Sequence, residues 1–217
     1  MPANDENKVG LQFVRDFYRG MSAYADHIDP KLLTGIHLKT KLDDAVLNAA
    51  RSGKDVVLTG NPGDGKTHII RMLKDQLEKL TIPVVIELDA STLSDEKIYS
   101  HWEQAHKDGK AFIIAINAAV LYSVYKSYPT FEPVKNAYEQ MADAIVFHKK
   151  DIDTSSLVVF DLSKREALTP EILSQAILKM TDESHYSECK SCPLRTNGSV
   201  LNLVGSVQPD PHVRHVD

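Results

Sequence analysis

Four short apolar runs recur along this chain, and the stretches between them carry apolar residues at helical spacing. The runs are Asp55-Val56-Val57-Leu58-Thr59, Pro83 to Asp89, Ala111 to Asn117, and Ser156 to Asp161. Each is continuously apolar and rich in β-branched residues, where a strand with one wet face would alternate. Between the first two runs, Ile69, Ile70, Met72, Leu73, Leu77 and Leu80 repeat at helical spacing until Ile82-Pro83 stops them. Between the second and third, Ser94 is placed to cap a helix that carries Ile98, Trp102 and Ala105 and closes at Asp108-Gly109. Before the fourth come an Ala/Tyr-rich helix that stops before Pro129 and a helix over 133–149 with Val134, Tyr138, Met141 and Ile145 inward. Strands alternating with helices predict an α/β fold, a mostly parallel sheet with helices on both faces.

The flanks differ in pattern. Val9, Phe13 and Phe17 mark a helical N-terminal segment, broken at Asp29-Pro30. A further amphipathic stretch, Leu38, Leu42, Ala45, Val46 and Ala49, ends at Gly53, which suits a helix C-cap. Thr169-Pro170-Glu171 opens a helix carrying Ile172, Leu173, Ala176, Ile177 and Met180, after which the pattern fades. The expected division is a helical segment over 1–35, a core over 36–168, and a small C-terminal appendage over 169–217.

A net charge of −5 gives no global basic field to recruit nucleic acid. No apolar run has membrane-spanning length and the N-terminus lacks signal-peptide character, so the reading is a cytoplasmic chain. Two cysteines, Cys189 and Cys192, form one C-x-x-C rather than a disulfide framework. With His185 nearby they supply half of a zinc site's spacing, and a pair of half-buried thiols is the alternative.

The most specific signal sits between the first run and the helix after it. Residues Gly60-Asn61-Pro62-Gly63-Asp64-Gly65-Lys66-Thr67 match the phosphate-binding pattern G-x-x-x-x-G-K-[ST], with His68 following. Glycines at 60, 63 and 65 let the backbone turn through positive φ and approach an anion closely. Successive N–H groups and the helix dipole then favour a polyphosphate. Lys66 should reach the β- and γ-phosphates, Thr67 should ligate Mg²⁺, and Pro62 should stiffen the turn. A carboxylate at Asp64 repels phosphate unless it points away or towards metal. The ligand expected from this pattern is ATP, or another nucleoside triphosphate, with Mg²⁺.

Hydrolysis needs more: an acid at a strand end for the metal shell and a carboxylate to orient water. Asp89, Asn117 and Asp161 stand at strand ends, and none belongs to an adjacent acidic pair. The stretch from Leu38 to about Asp161 resembles AAA+ ATPases, with Val85 to Ser91 similar to the second core strand of clamp-loader-type members. That resemblance gives the strand ending at Asn117 two identities. It takes the place of the family's acidic strand, Asn117 and Ala118 standing where metal-site Asp and catalytic Glu would be, or it resembles the sensor strand. The second identity requires the acid to come from Asp89. A narrower set of motifs, Gly60 to Thr67, Asp89-Ala90-Ser91, Phe112 to Asn117, Phe160 to Ser163 and Cys189 to Pro193, resembles ATPase components of bacterial DNA-phosphorothioation-dependent restriction systems. That implies protein partners or self-association in a defence assembly directed at DNA. Two rival readings stand beside the ATPase: a nucleotide-sensing scaffold without turnover, and a small-molecule or nucleoside kinase with Asp89 as substrate-side base.

Overall fold

The computed structural model describes residues 34–35, 37–147, 156–165 and 169–182. The chain divides into two units, Lys39–Glu166 and a second made of Met1–Leu38 with Ala167–Asp217. In the first unit, α1 (Lys41–Arg51) leads into β1 (Asp55–Thr59), α2 (Lys66–Leu77) and β2 (Val84–Glu87). A short 3-10 turn at Ala90–Thr92 precedes α3 (Asp95–Lys107) and β3 (Ala111–Ala115). Then come α4 (Ala118–Ser127), α5 (Glu132–Phe147), β4 (Leu157–Asp161) and a second 3-10 turn at Leu162–Lys164. The four strands form one sheet in the order β2-β3-β1-β4, every neighbouring pair parallel. The α/β architecture expected from the apolar runs is therefore present.

Side-chain alternation across the sheet explains why the runs are continuously apolar. On one face, Val57, Phe112, Ile114, Leu157 and Val159 pack with Ile98 and Trp102 of α3, Leu121 and Val124 of α4, and Val134 and Met141 of α5. On the other, Val56, Leu58, Ile113, Ala115 and Val158 meet Val46 and Ala50 of α1 and Ile69, Ile70, Leu73 and Leu77 of α2. Every position of β1 and β3 is buried, so a polar group placed there is costly unless it is hydrogen-bonded. At the edge, β2 is only half-buried along its length.

Asp43, Asp55, Thr59 and Gln140 are the buried polar residues among those described, and of these Asp55 joins three partners. Asp55, buried at the first position of β1, takes the Phe112 N–H, the Trp102 Nε1–H and His106 Nε2, each at 2.7 Å. Its carboxylate thereby ties β1 to β3 and to α3 beneath the Trp102–Phe112 stack. The strong hydrogen bonds offset the cost of burying a charge.

In the second unit, α6 (Pro170–Met180) starts as expected, with Thr169 Oγ1 accepting from the Ile172 N–H. None of its residues is buried, and Leu173 and Met180, two of the apolar residues at helical spacing, are exposed. Lys179 Nζ donates to the carbonyls of Thr34 and His37 within the same unit. The expected N-terminal helix over residues 1–30, the side chain of Ile145, and the Cys189/Cys192 pair with His185 lie outside the described residues. Among the described residues no helix is long and apolar enough to cross a membrane.

Candidate phosphate-binding site

A parallel sheet gathers the C-terminal ends of its strands at one edge, and ligands bind there where the chain reverses its direction of strand addition. β1 is that place here, flanked by β3 on one side and β4 on the other. The loop from Gly60 to Gly65 leaves β1 at this edge and turns directly into α2.

The backbone explains the glycines. Gly60, Gly63 and Gly65 have φ of +139°, +91° and +88°, a region that costs other residues steric strain. Gly65 is the N-cap of α2, and this helix has neither a side-chain cap nor an acid in its first turn. By contrast, α3, α4 and α6 are capped by Ser94, Asn117 and Thr169. The first-turn amides of α2, at Lys66, Thr67 and His68, thus begin a helix that carries neither a side-chain cap nor an acid of its own in the first turn. An anion is the group that fits such an end.

Lys66 Nζ donates to the carbonyls of Gly60, at 3.1 Å, and Asn61, at 2.8 Å. Burial holds its ammonium below the ordinary lysine pKa, and Asp64, Asp89 and Asp161 oppose that shift. Three carboxylates therefore act on the one loop cation. Asp64 turns back on the loop, its Oδ2 accepting the Asn61 N–H at 2.6 Å. Thr67 donates its hydroxyl proton to the Leu88 carbonyl at 3.1 Å. With the proton so engaged, the lone pairs of Thr67 Oγ1 are left for a cation. The contact also sets Thr67 beside the residue that precedes Asp89.

The strand-end candidates each hold a turn. Asp89 Oδ1 accepts from the Ser91 N–H at 2.9 Å, while its Oδ2 makes no hydrogen bond among the described residues. Asn117 Oδ1 accepts from the Val120 N–H at 2.9 Å and so caps α4. Asp161, paired across the sheet with Thr59, takes both the N–H and the hydroxyl of Ser163 on Oδ1, with Lys164 Nζ 3.6 Å from Oδ2. Ser163 and Leu162 in turn wall the loop, since a Cβ on Gly60 would lie 3.1 Å from Ser163 N and 3.3 Å from Leu162 Cβ.

Three of these relations escaped the sequence reading: the Asp64–Asn61 contact, the Thr67–Leu88 contact and the wall formed by the turn after β4. Only the apposition of strand ends could have signalled the last two, and it is not written in the local pattern. Among the described residues no group of three or more His, Cys, Asp or Glu could hold a metal ion unaided. The donor set still fits Mg²⁺, which binds through one or two protein oxygens with water and phosphate completing its shell. No protein-family model, no curated protein and no solved structure matches this chain.

Proposed function

We propose that this chain binds a Mg²⁺–nucleoside triphosphate, ATP in the first instance, as a P-loop domain of the AAA+-like kind. The observation that carries the reading is the start of α2, where a glycine-turned loop delivers Lys66 and Thr67 to an uncapped helix end at the edge of a parallel sheet. In this proposal the first-turn amides and Lys66 hold the β- and γ-phosphates, and Thr67 with Asp89 holds Mg²⁺ and its waters. Bound Mg²⁺ supplies neutralisation of the developing charge on the transferred phosphoryl group. The Thr67–Leu88 contact supports Asp89 as the acid and favours the sensor-strand identity for the segment ending at Asn117.

The wider role rests on motif resemblance: nucleotide binding and hydrolysis that drive or regulate a multi-subunit, DNA-directed defence assembly in the cytoplasm. A second reading has its own support. Asn117 is engaged as a helix cap and the next residue is Ala118, so no carboxylate follows β3 to orient a water. That arrangement favours a nucleotide-sensing scaffold.

Calorimetric titration with Mg²⁺–ATP, followed by phosphate release with and without DNA, separates these readings. Wild type should bind and Lys66→Ala should not. Turnover that Asp89→Ala removes supports the ATPase, and tight binding without turnover supports the scaffold. Phosphate transfer to a small acceptor would point to a kinase. No binding at any Mg²⁺ concentration would sink the proposal.

A further inference from the structure

Asp64 is a residue that a phosphate site ought to avoid, because its carboxylate shares a short loop with a polyphosphate. Its geometry resolves the conflict. Oδ2 accepts the Asn61 N–H at 2.6 Å, and the same oxygen lies 2.7 Å from the position a Cβ on Gly60 would take. The carboxylate is therefore seated against the first two residues of the loop. Lys66 grips those same two residues from their other polar side, taking the Gly60 and Asn61 carbonyls. Asp64 holds an N–H, Lys66 holds the carbonyls, and neither contact uses an amide of the α2 first turn.

We propose that Asp64 is a positioning residue for the phosphate loop, a latch whose carboxylate oxygen fixes Gly60 and Asn61 so that their carbonyls hold Lys66 in place. This inference rests on the nucleotide-binding reading and adds to it the device that pre-shapes the loop. A pre-shaped loop loses less conformational freedom when the anion arrives, which raises affinity without a direct contact. The latch also bears on Gly60 beyond its φ, since a Cβ there would lie 2.7 Å from Asp64 Oδ2 and push the carboxylate off its seat.

The hydrogen-bond acceptor, not the charge, is what the latch requires. Asn at position 64 keeps an acceptor oxygen at the same reach, and Ala does not. The test uses the full chain and a non-hydrolysable ATP analogue with Mg²⁺, measuring Kd by calorimetry and Tm by thermal unfolding. Asp64→Ala should weaken binding by up to roughly tenfold, the scale of one hydrogen bond. Asp64→Asn should recover most of that loss, and both variants should keep a wild-type Tm because the loop is outside the core. Wild-type affinity in Asp64→Ala removes the latch and leaves the nucleotide reading intact. Equal weakening in Asp64→Asn also overturns it, since charge would then be the operative property. A wild-type chain that binds no nucleotide removes both.

Discussion

Lys66 sits where two electrostatic effects oppose each other. Partial burial removes water from its ammonium and lowers its pKa, while Asp64, Asp89 and Asp161 pull the value back up. Burial wins, so the folded state releases this proton more readily than an unfolded chain would. The sign for stability follows: the cost is fully present below the folded pKa, and disappears as pH rises past the unfolded value. Binding runs the other way, because a phosphate needs the charged form. Nucleotide affinity should therefore fall as pH rises, with a midpoint below the ordinary lysine value of 10.5. Kd measured between neutral pH and that value checks it, and a flat profile would separate Lys66 from phosphate binding. Asp55, at the far end of β1, gives a second expectation at this scale. Asp55→Ala strands the Phe112 and Trp102 donors in the core, and should cost about 3–5 kcal/mol of stability. Trp102 is the chain's one tryptophan, so its fluorescence reports the unfolding directly. The sequence marked Lys66 through its motif, whereas Asp55 read only as the polar end of an apolar run. Its three partners lie 47 to 57 residues away, beyond any local pattern.

Helix ends were legible for the same reason that motifs are: capping is local chemistry. Ser94, Thr169 and the glycine turn before Lys66 stand where their side chains, or lack of them, dictate. Exposure along α6 was not legible, because periodicity says which residues share a face and not what covers it. Asn117 shows a residue with two readings at one position. Its side chain caps α4, and removing a cap costs about 1 kcal/mol, so Asn117→Ala should lower Tm by a few degrees. Asn117→Ser restores an oxygen able to cap the helix but places no amide group at the strand end. If Asn117 only caps, Asn117→Ser should recover both Tm and ATP turnover. If it also senses nucleotide, Tm returns and turnover does not, and thermal unfolding read beside phosphate release distinguishes the outcomes.

Strand order belongs to the whole molecule, and it decides what the phosphate loop can work with. The apolar runs predicted a parallel sheet but not that β3 would lie between β1 and β2, or that β4 would close the other side. Pairing of distant runs depends on how helices of particular lengths cover both faces, which no single run encodes. The consequence is two acids on opposite flanks of one lysine. Asp89 follows β2 next to the carbonyl that Thr67 contacts, and Asp161 ends β4 beside the wall against Gly60. Their positions assign different losses. Asp89→Ala removes an oxygen from the side where Thr67 leaves lone pairs for a cation, so it should raise the Mg²⁺ concentration needed for nucleotide binding by roughly tenfold. Asp161→Ala frees Ser163 and loosens the turn against the loop, so it should weaken binding by a similar factor at every Mg²⁺ concentration. Titrating Mg²⁺ at fixed ATP in both variants separates a shifted midpoint from a uniform loss. A shifted midpoint in Asp161→Ala, with none in Asp89→Ala, would move the metal to the other flank of Lys66.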